Sequence, residues 1–114
     1  MKAANDAERI VLLNAWEDYA LLWQILDEVR GSMPEAPREA ALRAAREAVF
    51  SLVKKGLLDV FRRDSRRVPF ERLDAAEGAA ALNTDAYWRG DDKDTVEIAV
   101  AATPEGDEAH ETPS

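Results

Sequence analysis

Apolar and polar positions recur along this chain in two rhythms, and the change of rhythm marks its elements. Leu12, Trp16, Tyr19, Trp23 and Leu26 fall at offsets of 4, 7, 11 and 14. Those offsets return to one face of a 3.6-residue helix. The spacing predicts a long first helix over 6–30, capped by Asn5 or Asp6, with Glu8 near its positive end. From Ala20 to Leu26 nearly every side is apolar, so that half is expected near the centre of the core. Glu17-Asp18 marks the point where the helix would kink or break. Gly31-Ser32-Met33-Pro34-Glu35-Ala36-Pro37 then reads as a turn, with Gly31 suited to the left-handed position and the prolines blocking continuation.

A second helix is predicted over 37–55. Ala41, Leu42, Ala45, Ala48, Val49 and Leu52 line one side of it, and Glu39, Arg43, Arg46, Glu47 and Lys54 the other. Phe50 falls among those charges, which predicts a cover other than the first helix. Gly56 is placed to end the helix, with Leu57 folding back.

Beyond Gly56 the rhythm changes to two. Leu58 and Val60 alternate with Leu57, Asp59 and Phe61, and Val96, Ile98 and Val100 alternate with Thr95, Glu97 and Ala99. This predicts antiparallel pairing of 57–63 with 95–101. The span between them is too long for a structureless loop. Asp74-Ala75-Ala76-Glu77 has a capping-box pattern, so a short helix is expected from there to Leu82. Thr84 to Trp88 adds one further turn. The insert's Val68, Phe70, Leu73, Leu82, Tyr87 and Trp88 also need cover. Folding the insert back over the outer face of the second helix would cover them and Phe50 together. Thr103-Pro104-Glu105-Gly106 reads as a short helix start, followed by a frayed acidic tail.

The expected architecture is α+β and mostly α: two long helices, then a two-stranded antiparallel wing with a partly helical insert. Residues 1–102 form one domain and 103–114 the tail. At 114 residues with 46% apolar content, the chain is long enough for one modest core. The net charge of -8 opposes nucleic acid and anionic membrane at long range. It is unevenly spread: residues 1–37 carry -4, 38–72 carry +5, and 73–114 carry -9. Cysteine is absent. With no signal-like start and no membrane-length apolar run, a cytoplasmic protein is expected. The excess of Arg over Lys and the abundance of Ala fit a GC-rich bacterial genome.

The segments Leu52-Val53-Lys54-Lys55-Gly56-Leu57-Leu58-Asp59-Val60 and Val96 to Gly106 resemble winged-helix regulators of the MarR and PadR kind. In those, the recognition helix ends in a Leu…Gly-Leu step, and the last wing strand runs into a Thr-Pro-Glu-Gly helix start. More loosely, Trp16 to Gly31 together with Ala80 to Trp88 is similar to small actinobacterial winged-helix-like proteins. The resemblance implies DNA binding by the helix 38–55 and the wing root 62–67. Two features depart from the pattern: the wing carries a long insert, and an unbroken helix over 38–55 leaves the DNA-reading three-helix unit one helix short.

Two sets of residues are candidates for a binding surface. Arg43, Arg46, Lys54, Lys55, Arg62, Arg63, Arg66 and Arg67 form a basic band that would contact phosphates. Alternatively it is a solvated helix face with a charged hairpin edge. Leu12, Trp16, Tyr19 and Trp23 would anchor a partner or a second copy, or simply fill the core. Chemistry is poorly provided for. His110 is the lone histidine, in the tail, and Asp91-Asp92 with Asp94 lack the glycine and terminal glutamate of a calcium loop. No catalytic residue, metal, cofactor or small-molecule ligand is expected. The expected function is macromolecular binding, to protein or to itself more than to DNA. The alternative is a DNA-binding transcriptional regulator.

Overall fold

The elements run α1 (Ala3–Ala15), β1 (Ala20–Leu21), α2 (Leu22–Ser32), α3 (Arg38–Lys54), β2 (Leu58–Arg63), β3 (Glu71–Arg72), α4 (Ala75–Leu82), a 3-10 turn (Asp85–Trp88) and β4 (Glu97–Ala102). This is a computed structural model that describes residues 3–16, 19–64, 68–89 and 96–104. The class is α+β, mostly helical, with one antiparallel sheet of four strands in the order β1-β4-β2-β3. Among the described residues no helix is long and apolar enough to cross a membrane.

The first long helix does not form. α1 begins at Ala3, so Asn5 and Asp6 lie inside it rather than at its cap, and it stops at Ala15. Glu17 and Asp18, the expected point of a break, lie outside the described residues. The chain is then extended at Ala20–Leu21, which pair with Val100 and Ala99 of β4. Helix resumes at Leu22, and a new apolar stripe of Leu22, Ile25, Leu26 and Val29 is buried. Its start is fixed by Gln24, whose side-chain Oε1 accepts the backbone N–H of Leu21 at 3.1 Å, one half of a capping box. Gly31 lies within the last turn of α2, and only Gly56 has a positive φ among the described residues.

α3 follows its pattern closely. It runs from Arg38 to Lys54 and buries Ala41, Leu42, Ala45, Ala48, Val49 and Leu52. At its end the Leu57 N–H donates to the Leu52 carbonyl at 2.9 Å and the Gly56 N–H to that of Val53 at 3.0 Å. With Gly56 at φ 79°, this is a Schellman close that turns the chain straight into β2.

β2 and β4 pair over their whole lengths, from Leu58 opposite Ala102 to Arg63 opposite Glu97. The expected pairing is present, but the sheet does not end there. β1 adds one edge and β3, through Phe61 opposite Arg72, adds the other. In place of the expected two-stranded ribbon, β2 and β4 are the inner strands of a four-stranded sheet. Thr103 locks its end, its N–H donating to the Leu57 carbonyl and its hydroxyl to that of Gly56. Pro104 is helical, and the rest of the expected tail helix lies outside the described residues.

All helices cover one face of the sheet. Leu58, Val60, Ile98 and Val100 join Val11, Leu22, Val29, Val49 and Leu52 in one apolar core. α4 enters this core with a full capping box: the Asp74 carboxylate accepts the Glu77 N–H at 2.7 Å, and Glu77 accepts that of Asp74. Leu82 and Trp88 are each 1% exposed, so the insert is built into the core. Its Leu82 carbonyl accepts both the Trp88 indole N–H at 2.9 Å and the Arg46 Nε–H of α3 at 3.1 Å.

Candidate interaction surfaces

The face of the sheet opposite the helices is lined by alternate residues. At one level the register places Leu21, Ala99, Phe61 and Arg72 side by side across the four strands. Arg63 and Glu97 sit opposite each other one step along, and Asp59 and Ala101 one step the other way.

Tyr19 crosses this face. β1 and β2 are separated by β4, about 9–10 Å from axis to axis. Yet the Tyr19 ring meets Phe61 edge-to-face at 5.0 Å and Phe70 at 4.5 Å between centroids. The ring can lie over β4 because the outward positions there are Ala99 and Ala101. Ala99 is 0% exposed although it points away from the helices, as a residue beneath such a bridge would be. Arg63 lies over the Phe70 ring at 4.3 Å and pairs with Glu97 at 2.6 Å. Arg72 pairs with Asp59 at 3.5 Å. The result is an aromatic patch, Tyr19 itself 42% exposed, rimmed by two Arg–acid pairs. An open groove of ≈ 430 Å³ runs beside it, lined by Tyr19, Leu21, Gln24, Arg63, Pro69 and Phe70.

The expected anchor stripe is dispersed. Leu12 is part of the core, Trp16 and Trp23 are half-buried, and Tyr19 belongs to the extended approach to β1. The break after Ala15 rotates these side chains away from a common helical face. Phe61 and Phe70 were not among the expected anchors. The period-2 alternation put Phe61 opposite Val60, but the partner strands that complete the patch, β1 and β3, are only two residues long and left no periodic signal.

The basic band is not one surface. Arg62 and Arg63 are successive in β2 and point to opposite faces; Arg62 pairs with Asp64 at 3.2 Å. Lys55 reaches Glu8 of α1 at 3.2 Å, and Arg46 is engaged by Leu82 of the insert. Arg43 and Lys54 are exposed on α3. Arg66 and Arg67 lie outside the described residues, as do Asp91, Asp92, Asp94 and His110. Phe50 is partly buried and packs against the core. No group of acidic and histidine side chains suited to a metal ion occurs among the described residues.

No protein-family model matches this chain, and no curated protein sequence or solved structure matches it either.

Proposed function

We propose that this chain is a non-catalytic, winged-helix-like binding module whose partner is a protein, including a second copy of itself, rather than DNA. The winged-helix reading is supported by the element order. Three helices interrupted by a short β1 precede β2 and β4, and β1 pairs with β4 beside β2. The helix that was wanting for a three-helix unit is supplied by the division of 3–32 into α1 and α2. α3 would then be the reading helix.

Two findings weigh against DNA on that helix. The insert packs on it, with Arg46 donating to the Leu82 carbonyl, which takes both a cation and space from any groove-facing surface. Glu39 and Glu47 stand beside Arg43 on what remains exposed. The observation that carries the protein reading is the patch of Tyr19, Phe61 and Phe70 on the open sheet face. Aromatic side chains backed by a rigid sheet and rimmed by charge are the make-up of a protein-binding hot spot.

The test is a titration of labelled duplex DNA by fluorescence anisotropy across a range of salt concentrations. The proposal expects no binding even at low ionic strength. Affinity that falls steeply with salt, on a slope flattened by Arg62→Ala with Arg63→Ala, would replace it with the DNA-regulator reading.

A further inference from the structure

The aromatic patch has a rim whose charges cancel, and this says which protein it fits. The chain carries -8 overall, so two copies repel each other over most of their surfaces. On the open sheet face, however, Asp59 and Glu97 are matched by Arg72 and Arg63, each acid paired with an arginine of the same face. An adjacent arginine and acid beside a two-fold axis meet their own reverse, each arginine facing the other copy's acid. We infer that the open face of the sheet is a homodimer interface, isologous about an axis beside the Arg72–Asp59 pair, with Tyr19, Phe61 and Phe70 of each copy flanking that axis. This rests on the protein-binding reading above and names its partner.

The rim pairs differ in how freely they can exchange. Arg63 is 23% exposed, stacked on Phe70 and bound to Glu97, which is 10% exposed. It belongs to the wall of the patch. Arg72 is 70% exposed and holds Asp59 at 3.5 Å, the longer contact. In the dimer Arg72 of each copy reaches the Asp59 carboxylate of the other, so that two such contacts form, one on each side of the axis. The area sets the strength. β2 and β4 are six residues long and the edge strands β1 and β3 two. Four strands span three spacings, so the face is at most roughly 20 by 15 Å, on the order of 300 Å² in projection, against about 800 Å² per partner in a standard interface. The dimer is accordingly weak and reversible, assembling in the micromolar range or above.

A charge exchange tests it. Sedimentation velocity of the full chain from about 5 to 500 µM covers that range. Wild type is expected to pass from monomer to dimer within it. Arg72→Asp and Asp59→Arg each set like charges against each other twice across the axis, and each is expected to weaken the dimer about tenfold or more. Mixed in equal amounts, the two variants restore attraction at both contacts, and the mixture alone regains dimer. Both positions are at the surface, and unchanged circular dichroism verifies that each variant is folded. A wild type that stays monomeric throughout, or a mixture no better than its components, overturns the inference. So does a dimer that both variants leave intact but Leu13→Glu abolishes, Leu13 being 60% exposed on α1. That last result would leave the protein-binding reading standing with a different face, whereas only the DNA titration bears on that reading itself.

Discussion

Arg46 and Trp88 donate to the same oxygen. One comes from α3 and the other from the 3-10 turn of the insert, and they converge on the Leu82 carbonyl at 3.1 and 2.9 Å. Leu82 ends α4, so its carbonyl is one of those a helix leaves without an internal partner. Sharing that acceptor fastens the insert to the helix it would otherwise leave open.

A shared acceptor predicts non-additive losses. Arg46→Met keeps the apolar stem and removes one donor; Trp88→Phe keeps an aromatic ring and removes the other. Each is expected to cost about 1–2 kcal/mol, because Leu82 retains a partner. The double variant leaves a buried carbonyl unpaired and is expected to exceed the sum by about 1 kcal/mol. Urea denaturation of the four proteins measures this, and strict additivity would show that the two bonds are independent.

Ala99 is expected to tolerate no larger side chain. It is fully buried on the open face, where the Tyr19 ring passes over β4 to reach Phe61. Ala99→Leu fills that space, displaces the ring, and is expected to cost about 1–3 kcal/mol. The tyrosine signal in near-ultraviolet circular dichroism should fall with it. Unchanged stability and an unchanged spectrum would mean that Tyr19 does not rest on β4.

Two glycines are expected to respond in opposite directions to alanine. Gly56 has φ 79°, and Gly56→Ala is expected to destabilise by about 1–2 kcal/mol although nothing would touch the added methyl. Gly78 lies inside α4, where a Cβ would meet Val60 at 3.4 Å, an ordinary contact. Gly78→Ala is expected to stabilise by about 0.5–1 kcal/mol through helix propensity. Thermal melts decide both; a destabilising Gly78→Ala would mean that α4 and β2 leave no room for a methyl.

The sequence was most legible where one local rule acted alone. α3 and its Gly56 stop, the Asp74–Glu77 capping box, and β2 and β4 as separate strands each follow from spacing within one segment. It was least legible where two rules competed for the same residues. Leu12, Trp16, Tyr19, Trp23 and Leu26 do have helical spacing, but Ala20 and Leu21 gain partners in β4, nearly eighty residues further along. A helical period carries no trace of a distant strand. The local clue was Gln24, three residues after the new N-cap, with Leu22, Ile25, Leu26 and Val29 beginning a fresh stripe. The candidate surface suffered in the same way. The spacing makes Tyr19 a helical residue, whereas its neighbours Phe61 and Phe70 come from β2 and the approach to β3. The basic band looked continuous in the chain because adjacent arginines are adjacent there, while a strand sends them to opposite faces.

The proposed contact is with the open sheet face, and not with the outward face of α3. Backbone amide spectra by NMR, recorded while the protein is concentrated and again while duplex DNA is added, test it most directly. Concentration is expected to shift the amides around Leu21, Phe61, Phe70, Arg72 and Ala99, and DNA is expected to leave Arg43, Glu47 and Lys54 in place. Amides of α3 that move with DNA while the sheet stays still at every protein concentration would contradict it.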